Sequence, residues 1–196
     1  VEYGESSLRA ASAAVAATGK TVKLETDILW GSIDDALIAE SRSAVMLCVA
    51  SVGIGWVAEK VFGSTATAVS RDAGCPVVIV RYPSRTEPAQ PDRWVVVGID
   101  DRTGNDDLVR HALDEARVRH AALLAVATWS SELSGVSYSE LDHRCETWRQ
   151  RYPDVHIHPT ATAGGLPEFL VEKRSHAIEV AVVGAVDANE VPQIIG

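Results

Sequence analysis

The chain has 196 residues, of which 46% are hydrophobic, and a formal net charge of −9 from 18 basic and 27 acidic side chains. Nucleic acids and anionic membranes attract proteins through basic surfaces, so this charge argues against both as the main partner. No apolar run approaches the roughly 20 residues that a membrane-spanning helix needs. The length suits one or two small domains with a sizeable core, and the cytoplasm is the default location.

The first part of the chain predicts alternating helices and strands. Its strands are apolar runs, except for the first, in which apolar and polar residues alternate as in a half-buried strand. In chain order the predicted elements are a helix over 6–17, a strand over 21–28, a helix after Gly31, a strand over 44–50, a helix after Gly63 and a strand over 76–80.

The second part of the chain follows a linker with three prolines, residues 83–92. It predicts strands over 94–100, 121–128, 155–162 and 180–184, with helices over 106–120, 138–152 and 165–175 between them. Alternation of β and α elements with β-branched runs is typical of a parallel sheet covered by helices. The fold class is therefore predicted to be α/β.

The segment between the strand 44–50 and the next helix has the composition of a phosphate-binding loop. A buried strand that leads through a glycine-containing loop to a helix N-terminus presents backbone N–H groups to an anion. Gly53 and Gly63 allow close approach of the backbone, because neither carries a Cβ. Ser64 and Thr65 add hydroxyl donors where the helix begins and can also cap it. A nucleotide or another phosphate is the predicted ligand.

The spacing of Gly53 and Gly63-Ser64 resembles the second part of the G-x2-G-x9-G-[S/T] signature of the universal stress protein family. Ala50 stands where that signature has its first glycine. The resemblance implies a flavodoxin-like (Rossmann-like) α/β sandwich whose loop holds the phosphates and ribose of ATP, alone or with Mg²⁺. Residues 74–80 also resemble the closing strand of the family, through which its members commonly dimerise. A homodimer, or an intramolecular pairing of the two halves, is therefore expected.

An internal repeat predicts two related domains. Residues 31–53 align at a constant offset with residues 165–187, and each segment has a glycine, an amphipathic helix and a β run. The alignment places Gly184 opposite Ala50. It also places the start of one repeat before Val1 and the end of the other beyond the last residue, so the sequence is expected to be part of a longer tandem protein or a truncated gene model.

The expected division follows the linker. Residues 1–82 form the later part of one universal-stress-type domain, residues 83–92 the linker, and residues 93–196 the earlier part of a second domain. Both domains are expected to be incomplete in this chain.

Asp100 is the candidate ligand residue of the second half. It ends the predicted strand 94–100, at the edge where open α/β sheets bind ligands. In the family that the chain resembles, an Asp at this strand end reaches the adenine and ribose region; alternatively, Asp100 and Asp101 cap the next helix and face water. The repeat places Asp187 opposite Gly53, and a carboxylate repels a polyphosphate unless a cation lies between them. We therefore expect the second half to have lost ATP binding, rather than to hold a cation.

The remaining candidates for chemistry are weak. The three cysteines have no metal or disulfide spacing, and Cys48 and Cys75 lie in apolar runs that predict reduced core residues. His156 and His158 project from one face of a strand, but the sequence offers no third ligand, so ordinary half-buried histidines are the favoured interpretation.

The function predicted from these observations is ATP binding by a switch or sensor in the stress response. The proposed ligand-binding residues are Ala50, Gly53, Gly63, Ser64, Thr65, Asp100 and Gly184. One alternative is a nucleotide-independent interaction or dimerisation module, in which the glycine loop is kept for packing. Another is a slow ATPase, although the first loop offers no positioned general base or metal set. We therefore expect the protein not to be an enzyme.

Overall fold

The computed structural model describes residues 2–51, 64–81, 93–102, 104–128, 137–163, 165–172 and 178–184. Within these ranges the strands form two parallel sheets, one of two strands and one of four. The helices are α1 (Glu2–Ala17), α2 (Ile33–Ser41), α3 (Ser64–Asp72), α4 (Asn105–Arg119), α5 (Tyr138–Arg151) and α6 (Leu166–Glu172). The strands are β1 (Leu47–Ser51), β2 (Val77–Arg81), β3 (Trp94–Ile99), β4 (Ala122–Thr128), β5 (Ile157–Thr162) and β6 (Ile178–Val182). The α/β class and the parallel sheets confirm the predicted fold class.

The smaller sheet pairs β1 with β2 in parallel over their full lengths. α3 joins the two strands in the chain and packs against both, while α2 packs beside α3. A buried serine links α2 to the chain after α3: Ser41 Oγ donates to the carbonyl of Ile38 at 2.7 Å and accepts from the backbone N–H of Gly74 at 2.9 Å. The end of α2 is thereby fixed to the turn that precedes β2.

The strand predicted over 21–28 is wrong. Residues 20–30 have no regular secondary structure, and Val22, Leu24 and Leu29 are exposed. Alternation favours a strand only where a neighbouring strand accepts its backbone hydrogen bonds. Within the described ranges, β1 and β2 pair with each other and no strand pairs with residues 20–30.

The larger sheet has the strand order β5-β4-β3-β6, and all its pairs are parallel. β3 lies between β4 and β6, and every residue from Val95 to Ile99 is buried. This burial explains its continuous apolar sequence, since a central parallel strand is covered by helices on both faces.

Alternate residues of the larger sheet contribute to two cores. Val95, Val97 and Ile99 pack with α4 and α5 on one face. Val96 and Val126 pack on the opposite face with Leu166, Phe169 and Leu170 of α6. Gly98 also lies on that face, and a Cβ at this position would lie 3.1 Å from Leu166 Cδ2. The absence of a side chain at Gly98 is what lets α6 approach β3 so closely.

The expectation for the cysteines is wrong for Cys48. Cys48 is exposed and Cys75 partly buried, whereas Cys145 of α5 is fully buried. Along β1, exposed residues alternate with partly buried ones, as in a sheet that is covered on one face only. An apolar run predicts a buried strand but does not indicate whether one or both faces of its sheet are covered, and this explains the error.

Replacement of a core residue in α4 tests the packing of the larger sheet. Leu113 is buried against β3 and β4, so Leu113→Ala should lower the free energy of unfolding by about 2–5 kcal/mol. Val118, on the same helix, is 76% exposed, and Val118→Ala should change it by less than about 0.5 kcal/mol. Urea denaturation followed by circular dichroism measures both; equal effects of the two substitutions would contradict this packing.

Thiol alkylation tests the burial of the cysteines. Burial raises the pKa of the Cys145 thiol from 9.0 to about 11, whereas Cys48 is exposed. Because the thiolate is the reactive form, iodoacetamide at pH 8 should modify Cys48 rapidly and Cys145 only after unfolding. The unfolded thiol ionises at lower pH than the folded one, so this group should lower stability as pH rises from about 9 to 11. Peptide mass spectrometry identifies each modified residue; rapid native labelling of Cys145 would contradict the packing of α5.

Candidate functional site

The carboxyl edge of the larger sheet contains a topological switch point between β3 and β6. From β3 the chain proceeds to β4 and β5 on one side and then returns to add β6 on the other side. In open α/β sheets the two connections diverge at such a point and leave a crevice that binds ligands. Asp100 directly follows β3, and Gly184 lies two residues after the end of β6. The structure therefore brings these two predicted site residues to the same edge of the sheet.

The carboxylate of Asp100 is held by the next arginine along the chain. Oδ1 accepts a hydrogen bond from the backbone N–H of Arg102 at 2.9 Å, and Oδ2 accepts from Arg102 Nε at 2.6 Å. The N-cap residue of α4 is Gly104, which has a φ of 93° and no side-chain cap. Asp100 therefore does not cap α4; it stabilises a tight turn at the carboxyl end of β3.

Asn105 is a buried polar residue that the sequence analysis missed. Its Nδ2 donates to the carbonyl of Gly98 at 3.0 Å, and its Oδ1 accepts from Arg144 Nη2 at 3.1 Å. Both ends of the amide are thus satisfied, as burial demands. The amide bridges the end of β3 to the first turn of α4.

Arg144 of α5 connects this bridge to the turn at Asp100. Its Nη1 donates to the carbonyl oxygen of Asp100 at 2.9 Å, and its Nη2 lies 3.1 Å from Asp106 Oδ1. The guanidinium also lies over the ring of Trp148, with Cζ 5.3 Å from the ring centroid. A polar residue in the first turn of a helix gave some signal for Asn105, but nothing local to Arg144 indicates that its side chain reaches a strand end so distant in the sequence.

In the smaller sheet, the structure describes part of the predicted phosphate loop. β1 ends at Ser51 and α3 begins at Ser64, so the serine lies at a helix N-terminus as the sequence predicts. Ala50 and Ser64 are exposed and Thr65 is partly buried. Gly53 and Gly63 lie outside the described residues, as does Asp187 of the second loop. The phosphate-binding role of this segment stays a prediction.

The two histidines beside β5 lie far from the switch point, on the outermost strand of the sheet. His156 and His158 are both exposed, rather than half-buried as expected. The ring of His158 contacts Trp94 edge to face, with 5.0 Å between centroids. The described ranges contain no cluster of three His, Cys, Asp or Glu side chains that could hold a metal ion.

The sequence and the fold agree with those of known proteins. Residues 1–81 match the profile of the Universal stress protein family. Universal stress protein Rv2624c of Mycobacterium tuberculosis is 38% identical over 194 residues, which cover 99% of this chain and 71% of that protein. Universal stress protein Rv3134c of the same organism is 39% identical over 175 residues, which cover 83% of this chain and 63% of that protein.

A solved structure shows the same architecture. A universal stress protein from Archaeoglobus fulgidus superposes with a TM-score of 0.75 at 16% identity, covering 99% of this chain and 72% of that one. At this identity the likeness establishes the fold alone. The fold is thus a flavodoxin-like parallel α/β sandwich, and together with the relatives it shows that the chain belongs to the universal stress protein family.

No helix in the part of the chain that the structure describes has the length and apolar character needed to cross a membrane.

Truncation of Asn105 tests the bridge between β3 and α4. Asn105→Ala leaves the buried carbonyl of Gly98 without its donor, so the free energy of unfolding should fall by about 1–3 kcal/mol. Asp107, in the same helical turn, is exposed, and Asp107→Ala should cost less than about 1 kcal/mol. Both variants can be compared with the wild type by urea denaturation; an equal loss from both would show that the bridge does not stabilise the fold.

Proposed function

We propose that this protein binds ATP, alone or with Mg²⁺, and acts as a nucleotide-dependent switch or sensor in the stress response. The observation that carries the proposal is the switch point between β3 and β6, where Asp100 and Gly184 follow the ends of adjacent parallel strands. This edge is where α/β sheets bind nucleotides. Asp100 offers a carboxylate that can accept hydrogen bonds from the hydroxyl or amino groups of a nucleoside.

The smaller sheet offers groups suited to the phosphates. Ser64 and Thr65 begin α3, and a helix N-terminus carries the positive end of the helix dipole and N–H groups that the helix itself does not pair. Gly53 and Gly63 belong to the same proposed loop, and Ala50 precedes it in β1. The sequence predicts that Asp187 weakens the phosphate loop of the second expected domain, residues 93–196, which is the second unit. We therefore propose that the phosphate donors come from the first unit, residues 1–82, within one chain or across two copies of a homodimer.

The proposal includes a cytoplasmic location, where ATP is abundant, and it includes no catalytic step. A slow ATPase stays an alternative, and its test is phosphate release above that of a matched blank.

A second candidate function is a nucleotide-independent interaction or dimerisation module. It is favoured by exposed apolar side chains in the first unit: Trp30 is 80% exposed, Ile33 67% and Val45 92%. Where exposed apolar side chains form a contiguous patch, that patch often marks a surface that contacts other proteins. The substitution Gly63→Asp separates the two functions, because it should block a nucleotide and leave an apolar contact surface unchanged.

Isothermal titration of ATP with Mg²⁺ into the purified chain tests the proposed function. Micromolar binding near one site per chain would support shared half-sites, because each chain supplies one phosphate loop and one Asp100. Gly63→Asp should abolish binding, because the carboxylate repels phosphate and its Cβ blocks backbone approach. Asp100→Ala should weaken binding by about tenfold, through loss of a charged hydrogen-bond acceptor.

The neighbour Asp101 is exposed and provides the matched control, so Asp101→Ala should leave ATP affinity within about twofold of the wild type. If only Gly63→Asp removes ATP binding, the nucleotide binds to the first unit. If only Asp100→Ala weakens ATP binding, the nucleotide binds at the carboxyl end of β3. No heat at millimolar ATP would contradict the proposal for this chain and favour the interaction module.

A further inference from the structure

The geometry points to Arg144 as the positioning residue of the candidate nucleotide site: through hydrogen bonds from α5, it holds the main chain that carries Asp100 in its binding conformation. This inference rests on the proposed function for the role of Asp100 in nucleotide binding. In this inference Arg144 acts on Asp100 through the turn that follows β3.

The first step is the convergence of acceptors on one guanidinium. Arg144 donates to the carbonyl of Asp100, to the buried amide oxygen of Asn105 and to the carboxylate of Asp106. These acceptors lie before and within the first turn of α4, so a single side chain spans the entire connection from β3 to α4. Hydrogen bonds from a charged donor are roughly twice as strong as neutral ones.

The second step is the partial burial of this cation. The side chain of Arg144 is 19% exposed, while its ion-pair partner Asp106 is 90% exposed. An exposed carboxylate contributes little to a salt bridge. The interactions that hold the guanidinium are therefore those with the Asp100 carbonyl and the Asn105 amide, together with the ring of Trp148.

The dipole of α4 acts on the guanidinium of Arg144. The N-terminus of α4 carries the positive end of its helix dipole, which disfavours a nearby cation. The acidic residues of that turn, Asp106 and Asp107, oppose this effect. Arg144 is thus held at this helix end by directed hydrogen bonds more than by the field of the helix.

The two arginines at the turn contact different groups of Asp100. Arg102 holds the carboxylate of Asp100, whereas Arg144 holds its backbone carbonyl. A ligand that donates hydrogen bonds to the carboxylate can displace Arg102 from it and leave the main-chain contact intact. Arg144 therefore keeps Asp100 in place while its side chain changes partners.

The test compares three variants of α5 by hydrogen exchange and ATP titration. Arg144→Met should speed amide exchange of residues 100–106 by about tenfold and weaken ATP binding by about tenfold, because a charged donor to two partly buried acceptors is lost. Arg144→Lys should show the same faster exchange and weaker ATP binding, since an ammonium is a point charge and cannot span acceptors as a guanidinium does.

Arg149→Met is the matched control. Arg149 lies on the same helix, pairs with Glu146 and donates to the carbonyl of Ile157 at 2.9 Å, away from the turn at Asp100. It should leave both readouts at their wild-type values. Equal melting-temperature losses for Arg144→Met and Arg149→Met, with unchanged exchange at residues 100–106, would overturn the inference, and so would full recovery by Arg144→Lys.

The two readouts keep the inference distinct from the proposed function. Faster exchange of residues 100–106 in Arg144→Met supports the positioning role even where the wild type gives no heat with ATP, and in that case only the proposed function fails. Wild-type ATP binding that Arg144→Met leaves unchanged would overturn the inference while the proposed function stands.

Discussion

The parallel pairing of β3 on both of its edges is the constraint on which the rest of the larger sheet depends. A parallel neighbour can be reached only by a crossover, so each connection must carry a helix or long segment over a face of the sheet. Those crossovers bury β3 on both faces and require the apolar residues found from Val95 to Ile99. They also direct every strand toward the same edge, and for that reason Asp100 and Gly184 lie together although they are far apart in sequence.

Local patterns were sufficient to predict most of the elements. The apolar run of β3 and the amphipathic sequence of α4 specify their own conformations, and their predicted bounds lie within one residue of those observed. The predicted strand over 21–28 was wrong because alternation indicates only that one face is apolar, while a strand also needs a neighbouring strand for its backbone hydrogen bonds. The predicted burial of Cys48 was wrong because an apolar run does not indicate whether one or both faces of its sheet are covered.

The candidate site was predictable in part, for a related reason. Asp100 was found because the end of a strand can be read from sequence, and the ends of parallel strands are where ligands bind. Arg144 was missed because its role depends on how α5 packs beside α4, a distance relation between helices that no local pattern encodes. The loop between β1 and α3 was predicted from its glycine spacing. Glycine spacing indicates backbone conformation and can be recognised without knowledge of tertiary packing.

The separation of β3 and β6 along the chain also bears on the order of folding. β3 and β4 are joined by a single helix, whereas Trp94 pairs with Ile178 only after the whole intervening segment has been arranged. Closing the longer loop costs more chain entropy, so we expect the β3–β4 pair to form early and β6 to join the sheet late. The strand end that Gly184 follows would then be placed last during folding. If local unfolding also begins with the detachment of β6 from β3, the same intermediate occurs during folding and during local unfolding. In that intermediate, β3, β4 and β5 form a three-stranded sheet and one edge of β3 is uncovered.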